Sequence, residues 1–177
     1  MTMNVFSKPN DTFITALESP SLLSSIIIVF LAGMIFSIIT FLVSNNFVIS
    51  GIIILSFFVN WIVFSIVYWL FSFMFNSKKK AHIESNFLGI LTATSRLWLF
   101  LILIGVFVFV SMLGGLLTPV SGIAILVLSI IMLFYSFILM KVILDSNNGR
   151  AFIAWFLAII LYFLLNSIAF AITTAFL

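Results

Sequence analysis

The residues able to do chemistry are few, and they gather in one place. FNSKKKAHIESNF, residues 75–87, holds four of the chain's eleven charged residues and its only histidine. Within it His82 and Glu84 stand two apart. An imidazole beside a carboxylate could pass a proton, but no third group is at hand to orient either one, and the pair reads as part of a solvated loop. The chain has no cysteine and four carboxylates, Asp11, Glu18, Glu84 and Asp145. That excludes disulfides, thiolate nucleophiles and thiolate metal sites, and leaves little for a hard cation. No HExxH, GxSxG or GxGxxG pattern occurs. The expectation is a protein that is not an enzyme, with no catalytic, cofactor-binding or metal-ligating residues and no cofactor.

The rest of the chain explains why so little chemistry is available. It is 65% hydrophobic and 6% charged, with mean hydropathy +1.46 and 23 phenylalanines among 177 residues. A soluble domain carries about 25% charge, so the solvent of this chain is lipid. The net charge of +3 comes from scattered residues and not from a basic face, which argues against nucleic acid. The first twenty residues are too polar for a signal peptide, so no cleaved leader is expected.

The charged residues cut the chain into uncharged blocks at 19–77, 97–140 and 151–177. A helix needs roughly 20 apolar residues to cross hydrocarbon, so the blocks hold two, two and one spans. Turn residues SNN at 44–46 and GGLLTP at 114–119 divide the first two. Ser19-Pro20 and Thr118-Pro119 read as N-caps followed by proline at the first helical position, and NNG at 147–149 offers residues suited to positive φ. The expectation is an all-α integral membrane protein: a cytoplasmic segment 1–20, then a single five-helix transmembrane bundle over 21–177. Its spans lie at 21–43, 48–75, 97–113, 119–142 and 150–175, the second long enough to tilt. Residues 84–95 read as a short interfacial helix leading into the third span.

With five crossings, Lys8, Lys78, Lys79, Lys80, Arg96, Lys141 and Arg150 all fall on one side, and the other side has no charge. Because Lys and Arg are retained in the cytoplasm, this places the N-terminus inside and the C-terminus outside. The lysine run, Arg96, Lys141 and Arg150 are topology anchors or contacts for anionic lipid. Three adjacent lysines fall short of the four to eight that mark a dedicated lipid cluster. Tyr68, Trp69, Trp98, Tyr135 and Trp155 lie close to the charged loops and read as an interfacial aromatic belt.

Two amides lie inside spans. Asn60 and Asn166 each sit 16 positions from the charged end of their helices (76 to 60, 150 to 166), about 24 Å along the axis. Equal depth predicts an interhelical polar pair, or a polar lining if a pathway exists. In the last span Ala151, Ala154, Ala158 and Ala169 form a small-residue packing stripe, and Gly33 and Ser37 a second pair. Such faces serve packing inside the bundle, a homo-oligomer or another membrane protein.

The chain resembles the Yip family of polytopic membrane proteins, named for interaction with Ypt/Rab GTPases, in its short prokaryotic branch. The likeness rests on FSKPNDTFITALESP, similar to the family's Pro-x-x-x-Phe lead into span one, on five spans with a polar loop and lead-in helix before the third, and on KVILDSNNGRAFIAWFLAIIL, similar to the family's link into its last span. The resemblance implies the five-span fold, a prokaryotic plasma membrane and a non-enzymatic, membrane-organising or partner-binding scaffold. The Asp-Leu-Tyr-Gly-Pro and Gly-Tyr-rich stretches of eukaryotic members are absent, so it carries fold and topology and not GTPase binding. A small-solute or ion pathway is the alternative.

Overall fold

The computed structural model describes residues 8–75 and 87–175, with side chains as far as Ile168. Seven helices and no strand are present among these residues: α1 (Pro9–Glu18), α2 (Leu22–Ser44), α3 (Phe47–Phe75), α4 (Phe87–Ser95), α5 (Trp98–Ser111), α6 (Leu117–Leu144) and α7 (Asn148–Ala175). The spans agree with the sequence reading to within a few residues. Five helical stretches are long and apolar enough to cross a membrane, α4 and α5 counting together as one.

Several helix ends differ from expectation. α2 is capped by Ser21, whose hydroxyl accepts from the Ser24 N–H, not by Ser19. Ser19 and Pro20 instead stop α1, because proline disfavours helical geometry in the residue before it. α6 begins ahead of Thr118, at Leu117. Gly114 and Gly115, at φ +76° and +62°, have already reversed the chain there. Pro119 then falls in a first turn whose N–H groups need no intrahelical acceptor. Between α6 and α7 the left-handed residue is Asp145, and Asn147 caps α7 by accepting from the Arg150 N–H at 3.1 Å. Asn45, also left-handed, closes α2, while the Asn46 side chain accepts from Val48 and Ile49 to open α3.

The spans close into a ring. α2 packs on α3 and α5, α5 on α6, α6 on α7, and α7 back on α3. The turns after α2 and α5 lie at one end and carry no charge. Every charged residue among those described lies toward the other end, called here the charged end. At that end α4 enters the ring and touches α1, α2, α3 and α6. All seven residues from Gly89 to Ser95 are buried, so this helix packs inside the protein and does not lie along its surface; residues 84–86 of the segment expected at 84–95 lie outside the described residues. α1 lies over α4 and α6, with Phe13, Ala16 and Leu17 buried. A β-carbon at Gly89 would stand 2.9 Å from the Leu17 carbonyl oxygen, so only glycine lets the two helices approach this closely.

The outward surface is apolar over the whole ring. Leu55, Val59, Ile123, Leu126 and Phe163 are among many large side chains left exposed. In water this would be one continuous aggregation patch. Facing lipid it costs nothing, and the chain is an integral membrane protein.

Candidate functional site

Two polar constellations lie at the charged end. The first is buried and surrounds α4. Within it, Thr92, Thr94 and Ser95 donate to carbonyls three or four residues back, Leu88, Leu91 and Thr92. Hydroxyls that bond their own helix compete with its backbone ladder. The ladder gives way just there, tightening into three-residue turns from Arg96 to Phe100, and α4 separates from α5. The hydroxyl of Thr94 faces α3. There Trp61 Nε1 donates to Leu91 O at 3.0 Å and to Thr94 Oγ1 at 3.2 Å, and Ser65 Oγ lies 2.6 Å from Thr94 Oγ1. Farther along α3, Tyr68 donates to the Ser136 carbonyl at 3.1 Å, and Trp155 Nε1 donates to the Ser136 hydroxyl at 2.8 Å. The network ties α3 to α4, α6 and α7. Hydroxyls and indoles do not titrate near neutrality, so it can position helices or hold a polar group but cannot run acid–base chemistry.

This changes the reading of the aromatics. Tyr68 and Trp98 are buried, at 0% and 3% exposure, Tyr135 and Trp155 are partly buried, and of the five only Trp69 is exposed. The expected interfacial belt is largely an internal set, with rings packed edge-on, as in Phe64 on Trp98 and Phe100 on Tyr135.

The second constellation is Arg96. It sits in the break between α4 and α5, half-buried, and one terminal nitrogen donates to Ser24 Oγ at 3.3 Å. Its Nε is buried with no partner. Among the described residues no carboxylate pairs with it. Ser24 belongs to the first turn of α2, where free N–H groups add partial positive charge. Lys8, Lys141 and Arg150 are exposed. Lys78, Lys79, Lys80, His82 and Glu84 lie outside the described residues.

Comparison of the chain with protein-family models, with curated proteins and with solved structures found no match. Its function has to be read from its own geometry.

Asn60 and Asn166 come to matching heights but do not bond. Phe64 and Tyr162 meet edge-on at 5.1 Å between α3 and α7, and each asparagine lies one turn beyond that contact, on the same side. Asn166 Nδ2, however, donates to Tyr162 O at 3.0 Å on its own helix, and no hydrogen bond joins it to Asn60. The intrahelical carbonyl is always within reach, whereas a cross-helix partner requires close approach. The two amides are therefore separate, and Asn60→Leu and Asn166→Leu should change stability additively, within about 0.5 kcal/mol in a double-mutant cycle. A coupling above about 1 kcal/mol would show that they meet.

The small residues of α7 face inward. Ala151, Ala154 and Ala158 are wholly buried, on a helix that packs against α3 and α6, while the side chain of Ala169 lies outside those described. In α2, Gly33 lets Ile54 of α3 approach, its would-be β-carbon lying 3.3 Å from Ile54 Cα. The Trp61, Ser65 and Thr94 cluster was missed from sequence. The hydroxyl run in LTATS at 91–95 was the one signal that could have marked it.

Proposed function

We propose that this chain is a non-enzymatic scaffold of a prokaryotic plasma membrane, akin in fold to the Yip family, which organises the bilayer or holds a partner membrane protein. Its N-terminus and its charged end face the cytoplasm. One observation carries the reading: at the charged end α4 packs between α2, α3 and α6 beneath α1, with every residue from 89 to 95 buried and its hydroxyls bonded within the protein. The space between those three helices is filled by protein, which supports a scaffold over a route for solute. The one-sided distribution of Lys and Arg supports the orientation.

One preparation tests both parts. Single cysteines at Asn45, Gly115 and Ser146 are introduced into separate variants in intact cells. An impermeant thiol reagent added outside should label the first two and spare the third; the opposite pattern inverts the orientation. The same proteins in sealed liposomes should pass ions and small neutral solutes no faster than empty liposomes. Flux that falls on Asn60→Leu or Asn166→Leu would replace the scaffold with a pathway.

A further inference from the structure

Arg96 reaches the first turn of α2 at the charged end of the bundle. Counted from the uncharged turns at about 1.5 Å per residue, Ser24 lies about 30 Å up α2, 20 positions from Ser44. Arg96 stands within about a turn of the same height, because Gly105, nine positions along its span, packs on Ile35 of α2, eleven positions from Ser24. Its side chain therefore reaches across to Ser24 at the charged end of α2. The destination is unusual. The guanidinium arrives at the positive end of α2, with no carboxylate paired to it among the described residues and with a serine hydroxyl as its only hydrogen-bond partner there. Asp11 and Glu18 of α1 are exposed and take no part. Two positive features brought together at the charged end, with no carboxylate partner among the described residues, leave guanidinium N–H groups able to take an anion. Arginine presents those groups as a planar fork matched to phosphate oxygens.

The geometry points to Arg96, with Ser24, as a binding site for the phosphate of an anionic phospholipid headgroup. The acyl chains would lie against the apolar outer faces of α2 and α5. This goes beyond the scaffold reading and does not depend on it, because the site exists whichever side of the membrane the charged end faces.

The test titrates the purified full chain in detergent with phosphatidylglycerol and with phosphatidylcholine, counting bound lipid by native mass spectrometry. Phosphatidylglycerol should be retained in preference. Arg96→Gln should weaken it roughly five- to tenfold, as expected for one interfacial cation in a charge-assisted bond. Lys8→Gln, at an exposed position outside the site, should change it less than about twofold. Equal loss in both variants, or none in Arg96→Gln, overturns the assignment. Millimolar inorganic phosphate should not displace the lipid; displacement, with no preference between the two lipids, would make this a site for free anions instead. Should Arg96→Gln fail to fold, the wild-type protein decides. A phosphatidylglycerol carrying a diazirine near its headgroup should cross-link within 21–27 or at Arg96, whose neighbours in 94–98 are buried, and labelling confined to other segments overturns the proposal.

Discussion

Trp61→Ala is expected to lower the stability of the bundle by about 2–3 kcal/mol, the largest loss for any single residue of the buried network. The indole is 3% exposed and bonds both Leu91 O and Thr94 Oγ1. In a soluble core such a truncation costs about 3–5 kcal/mol, part of it from lost transfer out of water. In a bilayer that part shrinks, because lipid is as apolar as the core. What remains is the cavity and the two indole bonds lost to Leu91 O and Thr94 Oγ1, which keep each other and Ser65 as partners. Trp61→Phe keeps most of the volume and should lose only the bonds, about 0.6–2 kcal/mol. Unfolding by denaturant in mixed micelles measures both. If Trp61→Ala unfolds within about 0.5 kcal/mol of the wild type, α4 is held by something other than this contact.

Gly89→Ala should separate α1 from α4, at about 1–3 kcal/mol. The added β-carbon would lie 2.9 Å from Leu17 O and 3.2 Å from Leu17 Cα. Both are backbone atoms, so no rotamer change relieves the clash and the whole of α1 must move. Gly105→Ala makes an informative contrast. Its β-carbon would come within 2.6 Å of an Ile35 methyl and 3.1 Å of the Phe36 ring, a clash between α5 and α2 that leaves the contact of α1 with α4 untouched. Phe13 is fully buried beneath α1, so chymotrypsin should cut after it in the Gly89 variant and spare it in the wild type and in Gly105→Ala. Continued protection of Phe13 in the Gly89 variant would mean that α1 tolerates the shift and is not clamped by this contact.

The amino-acid sequence by itself determined the number of spans and, to within a few residues, where they lie. Hydrocarbon thickness sets a length, and an uncharged block of 59 residues (19–77) can satisfy it only by crossing twice. The turns were legible for a similar reason: left-handed backbone is costly without glycine or asparagine, and Asn45, Gly114 and Gly115 supply it where the chain reverses. The grouping of charge at one end followed once the crossings were counted. Arg96 could be named from sequence, but only as one anchor among seven cations. Ser24, 72 positions away, carried no signal of its own.

Tertiary structure alone decided which faces turn inward. In a soluble protein a helix advertises its buried side by being polar on the other. Here lipid and core are equally apolar, so α2, α3, α5, α6 and α7 are hydrophobic all round and their sequences do not distinguish inside from outside. For that reason Tyr68 and Trp98 read as interfacial residues until packing buried them, and Asn166 read as a partner for Asn60 until its amide was found on Tyr162 O. The placement of α4 was hidden by the same ambiguity. A short segment rich in hydroxyls looks suited to the water boundary. It can be buried only because α3 presents Trp61 and Ser65 at the height of Thr94, and that match of heights comes from how the helices pack, not from any one of them.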